Sequence, residues 1–335
     1  MPATLRDVAK LAAVHPGTVS RALNPQTRRM VNEETARRVL EAAEQLGYRP
    51  NPIARGLKTN RSHTIGVLVP DLTNPLFPPI VRGIQDKLEA AGYTPLIANT
   101  DNDPDRERSD LEAMRARQVD GVITATARLD HGALDEMAAD GLPIVLVNRR
   151  LDDGPLSSAT ADDHAGARLA TQHLIDLGHT RIAHLGGPQE VSTGHLRLEG
   201  YLDTMKEAGF EPGPVLCGNA FTEPEGARLA GELIDAGATA IVAGNDLMAL
   251  GCYDVLAERG LRCPDDLSVV GFNDMPFSER FNPPLTTIRI PHYEIGAAAA
   301  DLLLERLQNP DAPARHIMLA PELVVRASSL TTRRD

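Results

Sequence analysis

The chain has 335 residues, 42% of them hydrophobic, which is enough for two or three domains with buried cores. Its three cysteines, Cys217, Cys252 and Cys263, and its ten histidines show no metal-ligand or redox spacing, so the sequence indicates neither a metal nor a cofactor. The N-terminus lacks the apolar stretch of a secretory signal, and no apolar run is long enough to span a bilayer. These features predict a cytoplasmic chain without a membrane partner.

The net charge of −12 is unevenly distributed. Residues 1–61 hold 11 Lys or Arg and 5 Asp or Glu, a balance of +6, while the rest of the chain carries −18. A basic head before an acidic body is typical of a protein that binds nucleic acid through one end. A chance imbalance is the alternative, but the sign changes where the sequence predicts a linker.

Two short helices are predicted at residues 4–24, TLRDVAKLAAVHPGTVSRALN. Apolar residues recur at helical spacing in both, and Thr4 is placed to cap the first helix. The second helix begins near Pro16, with Gly17, Thr18 and Arg21 on its outer side. Two closely crossing helices, the second with a polar outer face, suit the major groove of DNA. DNA is therefore the first partner that the sequence predicts.

A third helix is predicted from Glu33 to Leu46, with Asn32 as its N-cap and Gly47 just beyond its end. The segment that follows, residues 48–64, contains a short apolar side but is too short to hold as an isolated helix in water. It is either a plain linker or a segment that folds on a partner. The apolar stripe predicted for the third helix consists of Ala36, Val39, Leu40, Ala43 and Leu46.

From Thr64 onward, short apolar runs alternate with helix-length amphipathic stretches. This pattern is typical of parallel sheets built from right-handed βαβ units. The runs form two series, which predicts two lobes with a ligand site beyond the carboxyl ends of their strands. The predicted strands are 65–70, 93–99, 121–125 and 143–148, followed by 181–186, 241–245, 267–272 and 286–290.

Motifs across nearly the whole chain resemble those of the LacI–GalR family of bacterial transcriptional repressors: DVAKLA, TVSRALN, ARGLK, NPLF, DLGH, TGHLR, GNDLMALG, GFND and PPLTTIR. The resemblance implies an α/β protein with a three-helix helix-turn-helix head at residues 1–49 and a hinge helix or linker at 50–62. It implies a two-lobed body with parallel sheets, like that of type I periplasmic binding proteins, at 63–335. Lobe 1 would comprise about 63–160 and 291–320, and lobe 2 about 161–290 and 321–335.

The resemblance also implies two modes of DNA contact. Arg21 on the second helix can pair bidentately with guanine, although a phosphate contact is the alternative. Pro16 and Gly17 stand where the family usually holds longer polar side chains, so base reading would rest on Arg21, His15 and DNA shape. Leu57 would wedge into the minor groove and kink the operator, unless it is an ordinary linker leucine. The predicted DNA-binding residues are His15, Pro16, Gly17, Thr18, Arg21, Asn24, Ala54, Leu57 and Lys58.

A small-molecule effector, a sugar or sugar derivative, is implied between the lobes. Arg197 in TGHLR would anchor it through paired hydrogen bonds, with a surface helix arginine as the alternative. Asn245 and Asn273 would offer amide donors and acceptors to hydroxyl groups, Asn273 standing where the family usually has aspartate. The predicted effector-binding residues are Phe77, Asp162, Arg197, Phe221, Asn245 and Asn273.

These features together predict a homodimeric repressor on a pseudo-palindromic operator. Three other functions remain open: a regulator that responds to a nucleobase or nucleoside, a regulator that responds to a partner protein, and a stand-alone sugar-binding protein. The last fits poorly with a basic head. No dinucleotide fingerprint, phosphate-binding loop or catalytic metal spacing occurs in the sequence, so we predict that the chain is not an enzyme.

Overall fold

The computed structural model describes residues 3–24, 27–49, 61–129, 132–151 and 154–331. The chain divides into two compact units, residues 1–62 and 63–335. We call the first the head and the second the body. Residues Ala54, Leu57 and Lys58, for which DNA contacts were predicted, lie outside the described residues.

The head contains the three predicted helices: α1 (Leu5–Leu11), α2 (Pro16–Leu23) and α3 (Glu33–Gln45). Thr4 caps α1 in a capping box with Asp7, and the Asn32 side chain accepts the Glu34 N–H at the start of α3. Val8, Val19 and Val39, one from each helix, are fully buried and meet in a small core. The predicted three-helix head is confirmed.

The predicted stripe of α3 is wrong at two positions. Leu40 and Leu46 are 38% and 36% exposed, whereas Ala42 is buried together with Ala36, Val39 and Ala43. Each residue turns a helix by about 100°, so Leu40 points well away from a face centred near Val39. Leu46 is the C-cap residue, one position beyond the last helical residue, Gln45.

Two sheets, each with six strands among the described residues, form the body. The first sheet contains β1 (Thr64–Val69), β2 (Thr94–Asn99), β3 (Gly121–Thr124), β4 (Ile144–Val147), β5 (Ser157–Ala161) and β11 (His316–Leu319). The second contains β6 (Ile182–Gly186), β7 (Val215–Cys217), β8 (Ala240–Ala243), β9 (Ser268–Asn273), β10 (Thr286–Arg289) and β12 (Glu322–Val324). The strand order is β11-β5-β4-β3-β1-β2 in the first sheet and β12-β10-β9-β8-β6-β7 in the second. All neighbouring strands are parallel except β10 and β12, which are antiparallel.

Helices follow most strands and cover the sheets, as the βαβ pattern predicts. Four belong to the first sheet: α4 (Phe77–Ala90), α5 (Pro104–Ala116), α6 (Gly132–Ala139) and α11 (His292–Gln308). Four belong to the second: α7 (Asp163–Asp176), α8 (Ser192–Glu207), α9 (Glu223–Asp235) and α10 (Asp246–Glu258). The chain passes between the sheets after β5, after β10 and after β11. The α/β class with parallel sheets is therefore confirmed.

All eight predicted strands are present, but four others were missed. β5 has the sequence SSATA, which is buried yet has no large apolar side chain. β7 and β12 have three residues each, and β11 is an edge strand without a buried residue. Short, small or edge strands lack the apolar run on which the predictions depended.

Two glycines allow α4 and α11 to pack at very short range. A Cβ on Gly83 would lie 2.1 Å from the Tyr293 carbonyl oxygen, and one on Gly296 would lie 2.0 Å from the Ile80 carbonyl oxygen. Real Cβ atoms cannot approach backbone so closely. The two helices therefore require glycine at both positions, and they fix one side of the first sheet.

Candidate functional site

The exposed side of α2 carries the predicted base-reading residues that the structure describes. His15 and Arg21 are exposed, while Pro16, Gly17 and Thr18 are half-buried along the same helix. The Arg21 Nε donates to the Gly17 carbonyl oxygen at 3.2 Å. Asn24 is the C-cap of α2, in extended backbone. These residues are brought together at one helix, whereas the three hinge residues lie outside the described ranges.

His15 caps α2 with its imidazole ring. Its Nδ1 accepts the Gly17 N–H at 3.1 Å. A neutral imidazole that accepts through Nδ1 carries its proton on Nε2. His15 therefore presents a single N–H donor at the start of the helix, where Pro16 has no polar side-chain atom and Gly17 no side chain.

A cleft in the body lies at the carboxyl ends of strands from both sheets, with an empty volume of about 830 Å³ that includes its opening to solvent. Asp71, Asn102, Arg128 and Arg149 follow strands β1 to β4 of the first sheet, as expected for an open α/β ligand site. The cleft brings together five of the six predicted effector residues: Phe77, Arg197, Phe221, Asn245 and Asn273.

Arg197 is the most constrained of these side chains, only 4% exposed. Its guanidinium pairs with the Asp163 carboxylate at 2.7 Å and donates through Nη1 to the Gly244 carbonyl oxygen at 2.6 Å. It lies over the Phe272 ring, 3.8 Å from the centroid. Burial raises the pKa of Asp163, and the charge of Arg197 opposes that rise. Arg197, the predicted effector anchor, therefore also forms a buried ion pair with Asp163 that belongs to the fold.

The two predicted amides are already engaged by the protein. Asn245 caps α10 by accepting the Met248 N–H at 2.8 Å, and its Nδ2 donates to the Phe221 carbonyl oxygen at 3.2 Å. Asn273 accepts from Arg197 Nη2 at 3.4 Å and has a left-handed backbone with φ 112°. Asn245 therefore shapes the cleft wall, while Asn273 keeps hydrogen-bonding capacity toward a ligand.

Asp162 is not among the residues that line the cleft. Its carboxylate caps α7 instead by accepting the Ala165 N–H at 2.9 Å. An aspartate directly before a helix is a strong N-cap, and in the sequence this local role looks the same as a ligand contact. In the structure Asp162 is therefore the N-cap residue that precedes helix α7, and it is not among the residues that line the cleft.

Several cleft residues were missed in the sequence, chiefly Asn102, Arg128, Asn148 and Arg149. Asn148 closes the predicted strand 143–148, and Arg149 follows it directly. The same rule that predicted the position of the cleft, ligand contacts beyond strand ends, could have found all four. The NRR segment at 148–150 does not belong to the motifs that resemble the family, so these residues carried no such signal.

Arg149 is buried, with 7% of its surface exposed. Its Nη2 donates to the Asn102 side-chain oxygen at 3.2 Å, and its Nε has no hydrogen-bond partner among the described residues. Burial lowers its pKa to about 10, and the charges of Arg128 and Arg197 act in the same direction. The described residues therefore leave the Nε–H of this buried guanidinium without an acceptor.

Two kinds of feature are absent from the described part of the chain. No group of three or more His, Cys, Asp or Glu side chains there could hold a metal ion. None of the helices in those ranges combines the length and the apolar character needed to cross a membrane.

A three-helix head and a two-sheet body with a polar cleft define a class of DNA-binding, ligand-responsive regulators. Residues 4–51 match the family model for bacterial regulatory proteins of the lacI family, and residues 171–329 match that for a periplasmic binding protein-like domain. The chain is 34% identical to the ribose operon repressor of Escherichia coli strain K12, over 98% of this chain and 100% of that protein. It is 36% identical to the transcriptional repressor PurR of Pasteurella multocida, over 97% and 98%.

Solved structures agree with these matches. The lac repressor dimer bound to operator and the anti-inducer ONPF has a TM-score of 0.87 and 29% identity, with 98% of this chain and 100% of that chain covered. A LacI-family regulator of Enterococcus faecium with bound ribose has a TM-score of 0.73 and 33% identity, with 81% and 100% covered. The chain belongs to the lacI family of bacterial regulatory proteins. It is a DNA-binding transcriptional repressor.

Proposed function

We propose that the protein represses transcription as a homodimer on a pseudo-palindromic operator and that a sugar or sugar derivative in the cleft controls its affinity for that operator. The observation that carries the effector role is the cleft itself, where Arg197, Phe77 and Phe221 meet at the strand ends of both sheets. Two protomers would place two heads on two half-sites, because twofold symmetry of protein and operator match. Such a repressor acts on the chromosome, so we expect it in the bacterial cytoplasm.

Two features of the head support direct reading of bases. Arg21 is exposed on α2 and its guanidinium can pair with guanine in the major groove. His15 is the N-cap residue of α2, the helix that carries Arg21. Its Nδ1 accepts the Gly17 N–H, which leaves its Nε2–H as a donor toward DNA. A donor of this kind suits acceptor atoms such as guanine O6 or N7.

The hinge is the second proposed DNA contact. The proposal is that Ala54 packs against the partner hinge and that Leu57 wedges into the minor groove, flanked by Lys58. It rests on the match of ARGLK to the family motif, since these residues lie outside the described ranges. Leu57→Ala is expected to weaken operator binding without changing ligand binding. Leu169→Ala, at an exposed leucine of the body, is the matched control.

We also propose that the cleft binds its ligand without chemical turnover. Its described polar side chains are mainly amides and guanidinium groups, which bind and orient but are poor nucleophiles and bases. Incubation of the protein with each ligand, followed by mass spectrometry, should return the ligand unchanged. Steady product formation would contradict this proposal.

A nucleobase or nucleoside is the second candidate ligand. The half-buried cleft residue Phe221 could stack against a flat ring, and a repressor named PurR is among the relatives. A thermal-shift screen of sugars, sugar phosphates, sugar acids and nucleosides separates the candidates, since a bound ligand stabilises the fold according to its concentration over its Kd. Hits are then tested for an effect on operator binding. A screen in which no small molecule affects operator binding would contradict effector control.

A further inference from the structure

We propose that Asp246 is a positioning residue for the effector site: its charged carboxylate fixes the loop after β9, where Asn273 joins the cleft wall, and so strengthens effector binding. This inference deepens the proposed function and rests on it. Asp246 is not among the residues that line the cleft, so it acts only through the residues that it holds.

Asp246 is connected to two residues of the cleft wall. Asn245, which precedes it in the chain, and Asn273, the last residue of β9, both line the cleft. Asp246 itself is the first residue of α10 and is fully buried. A Cβ on Gly271 would lie 2.3 Å from the Asp246 Oδ1, so the carboxylate occupies space that only this glycine leaves open. The carboxylate is therefore packed against the strand that carries Asn273.

The Asp246 carboxylate holds the two residues that follow Asn273. Its Oδ2 accepts the Met275 N–H at 2.7 Å, and its Oδ1 accepts the Thr287 hydroxyl. The Thr287 oxygen in turn accepts the Asp274 N–H at 3.4 Å. Both backbone donors that follow Asn273 therefore depend on this one carboxylate, either directly or through Thr287.

The loop after β9 needs an anchor because its backbone is strained. Asn273 and Asp274 have positive φ angles of 112° and 52°, and Phe277 has φ 76°. Such conformations are uncommon outside glycine and persist only where the surrounding structure holds them. Hydrogen bonds to an ionised acceptor are roughly twice as strong as neutral ones, so the charged form of Asp246 holds this loop more firmly than the protonated form. A firmly held loop reduces the ordering that ligand binding requires.

The groups around Asp246 place its change of charge near neutral pH. Burial is the largest cause that raises the pKa of Asp246 to about 7, and the charge of Asp274 adds to it. The hydrogen bonds that the carboxylate accepts and the charge of Arg326 oppose this rise. Arg289 and Arg326 both pair with Asp274, at 2.8 and 2.7 Å. His292, which is also close enough to feel the charge of Asp274, is neutral at this pH because burial lowers its pKa to about 4.

The first test measures binding to the full chain by isothermal titration calorimetry at pH 6 and pH 8, with ribose, glucose and adenosine as probes. Wild type should bind at least one probe about five- to tenfold more tightly at pH 8, the difference expected between hydrogen bonds to charged and to neutral groups. Asp246→Asn, which resembles the protonated acid, should bind that probe with the weaker affinity at both pH values. Asp254→Asn removes an exposed carboxylate from the same helix and should keep the wild-type difference.

A second pair of variants changes only the bridge between Asp246 and the Asp274 N–H. Thr287→Val removes the bridging hydroxyl and should weaken binding of the same probe at pH 8. Thr287→Ser keeps a hydroxyl at this position and should restore the binding. A purely structural role of Asp246 would not produce the loss of pH dependence in Asp246→Asn.

Hydrogen–deuterium exchange tests the hold on the loop without any effector. At pH 8, a peptide covering residues 273–278 should exchange faster in Asp246→Asn than in Asp254→Asn, because the Met275 N–H has lost its ionised acceptor. Equal exchange in these two variants, or a panel in which no probe binds more tightly at pH 8, overturns the proposal. If a probe changes operator binding to the same extent at both pH values, effector control stands without positioning by Asp246.

Discussion

Arg197 shows how one residue can serve both the fold and a ligand site. Its guanidinium is enclosed by Asp163, the Gly244 carbonyl oxygen and the Phe272 ring. A side chain held this firmly is pre-organised, so a ligand need not pay for ordering it. The same contacts make its removal costly for the body, which complicates any test of its binding role by truncation.

Arg197→Ala should therefore destabilise the body. It leaves Asp163 buried without its counter-charge, and breaking a buried pair in this way typically costs about 3–5 kcal/mol. Urea unfolding followed by circular dichroism measures the loss. Arg259→Ala, which breaks an exposed pair with Asp235, should leave the unfolding midpoint nearly unchanged. A midpoint for Arg197→Ala that matches this control would contradict the structural role.

Asp246 predicts a specific pH dependence of stability. Its carboxylate is fully buried and accepts the Met275 N–H at 2.7 Å and the Thr287 hydroxyl, yet burial raises its pKa to about 7. Because the folded pKa lies above the value of 3.8 in the unfolded chain, the folded state binds more protons between these two values. The free energy of unfolding contributed by this group must then fall as pH rises from about 4 to 7.

Asp246→Asn removes that titration. The stability difference between wild type and Asp246→Asn, measured by urea unfolding at several pH values, should be most favourable to wild type near pH 4 and should shrink toward pH 7. A difference that is constant over this range, or that grows with pH, would show that the pKa is not raised.

At the scale of elements, the structure tests the sequence reasoning most directly. Regular helices with clear caps and strands with large apolar runs were predictable, because 3.6-residue periodicity and burial on both faces leave a signal in the sequence. Strand β5, with the sequence SSATA, was not predictable, because its small side chains are buried by neighbouring elements and leave no apolar run in the sequence. The residues of the cleft differ in the same way. Arg197 was predictable because it lies in a family motif, whereas the cleft position of Arg149 follows only from where β4 ends.

We expect the two ring nitrogens of His15, the N-cap residue of α2, to have separable roles. His15→Ala removes the cap and should cost the head about 1 kcal/mol, whereas His15→Asn keeps a good capping group. Both variants lose the Nε2–H donor, so both should bind operator more weakly if that donor contacts DNA. Thermal unfolding of the chain and fluorescence anisotropy with labelled operator give the two readouts. Wild-type operator affinity in His15→Asn would limit His15 to capping.

The contact between α4 and α11 predicts a strong response to a single methyl group. Gly83→Ala places a Cβ 2.1 Å from the Tyr293 carbonyl oxygen, so backbone must move, and overpacking of this kind typically costs about 1–3 kcal/mol. Gly132→Ala is the matched control, because no described atom lies within 4 Å of its added methyl group. Equal melting temperatures for the two variants would mean that the helices can separate at little cost.

At the scale of the whole molecule, hydrogen bonds join the two sides of the cleft. The Leu129 N–H donates to the Glu190 carbonyl oxygen at 2.9 Å, and the Arg150 N–H donates to the Ser192 hydroxyl at 3.0 Å. The first bond joins the loops that follow β3 and β6, and the second joins the loop after β4 to the first residue of α8, so each connects elements of different sheets. A ligand that binds more tightly when these bonds are formed would shift the body toward this arrangement, as differential affinity requires.

The distribution of charge along the chain favours DNA binding through the N-terminal segment. The segment of residues 1–61 is basic and the rest of the chain is acidic, so DNA phosphates attract the one and repel the other. Under the proposed function, ligand control then has to act on an operator-binding energy supplied largely by the head. Couplings between two sites are typically about 1–3 kcal/mol, which sets the size of the effect to expect.

The most direct test of the central claim is the operator dissociation constant of the full chain, measured by fluorescence anisotropy with and without a saturating ligand from the screen. Wild type and Leu169→Ala, whose altered leucine lies outside the cleft, should show a change of about 5- to 150-fold. Phe221→Ala, in the cleft wall, should bind operator normally but lose most of that change. An operator dissociation constant that no cleft ligand alters, or a response that Phe221→Ala retains in full, would contradict control of operator binding through the cleft.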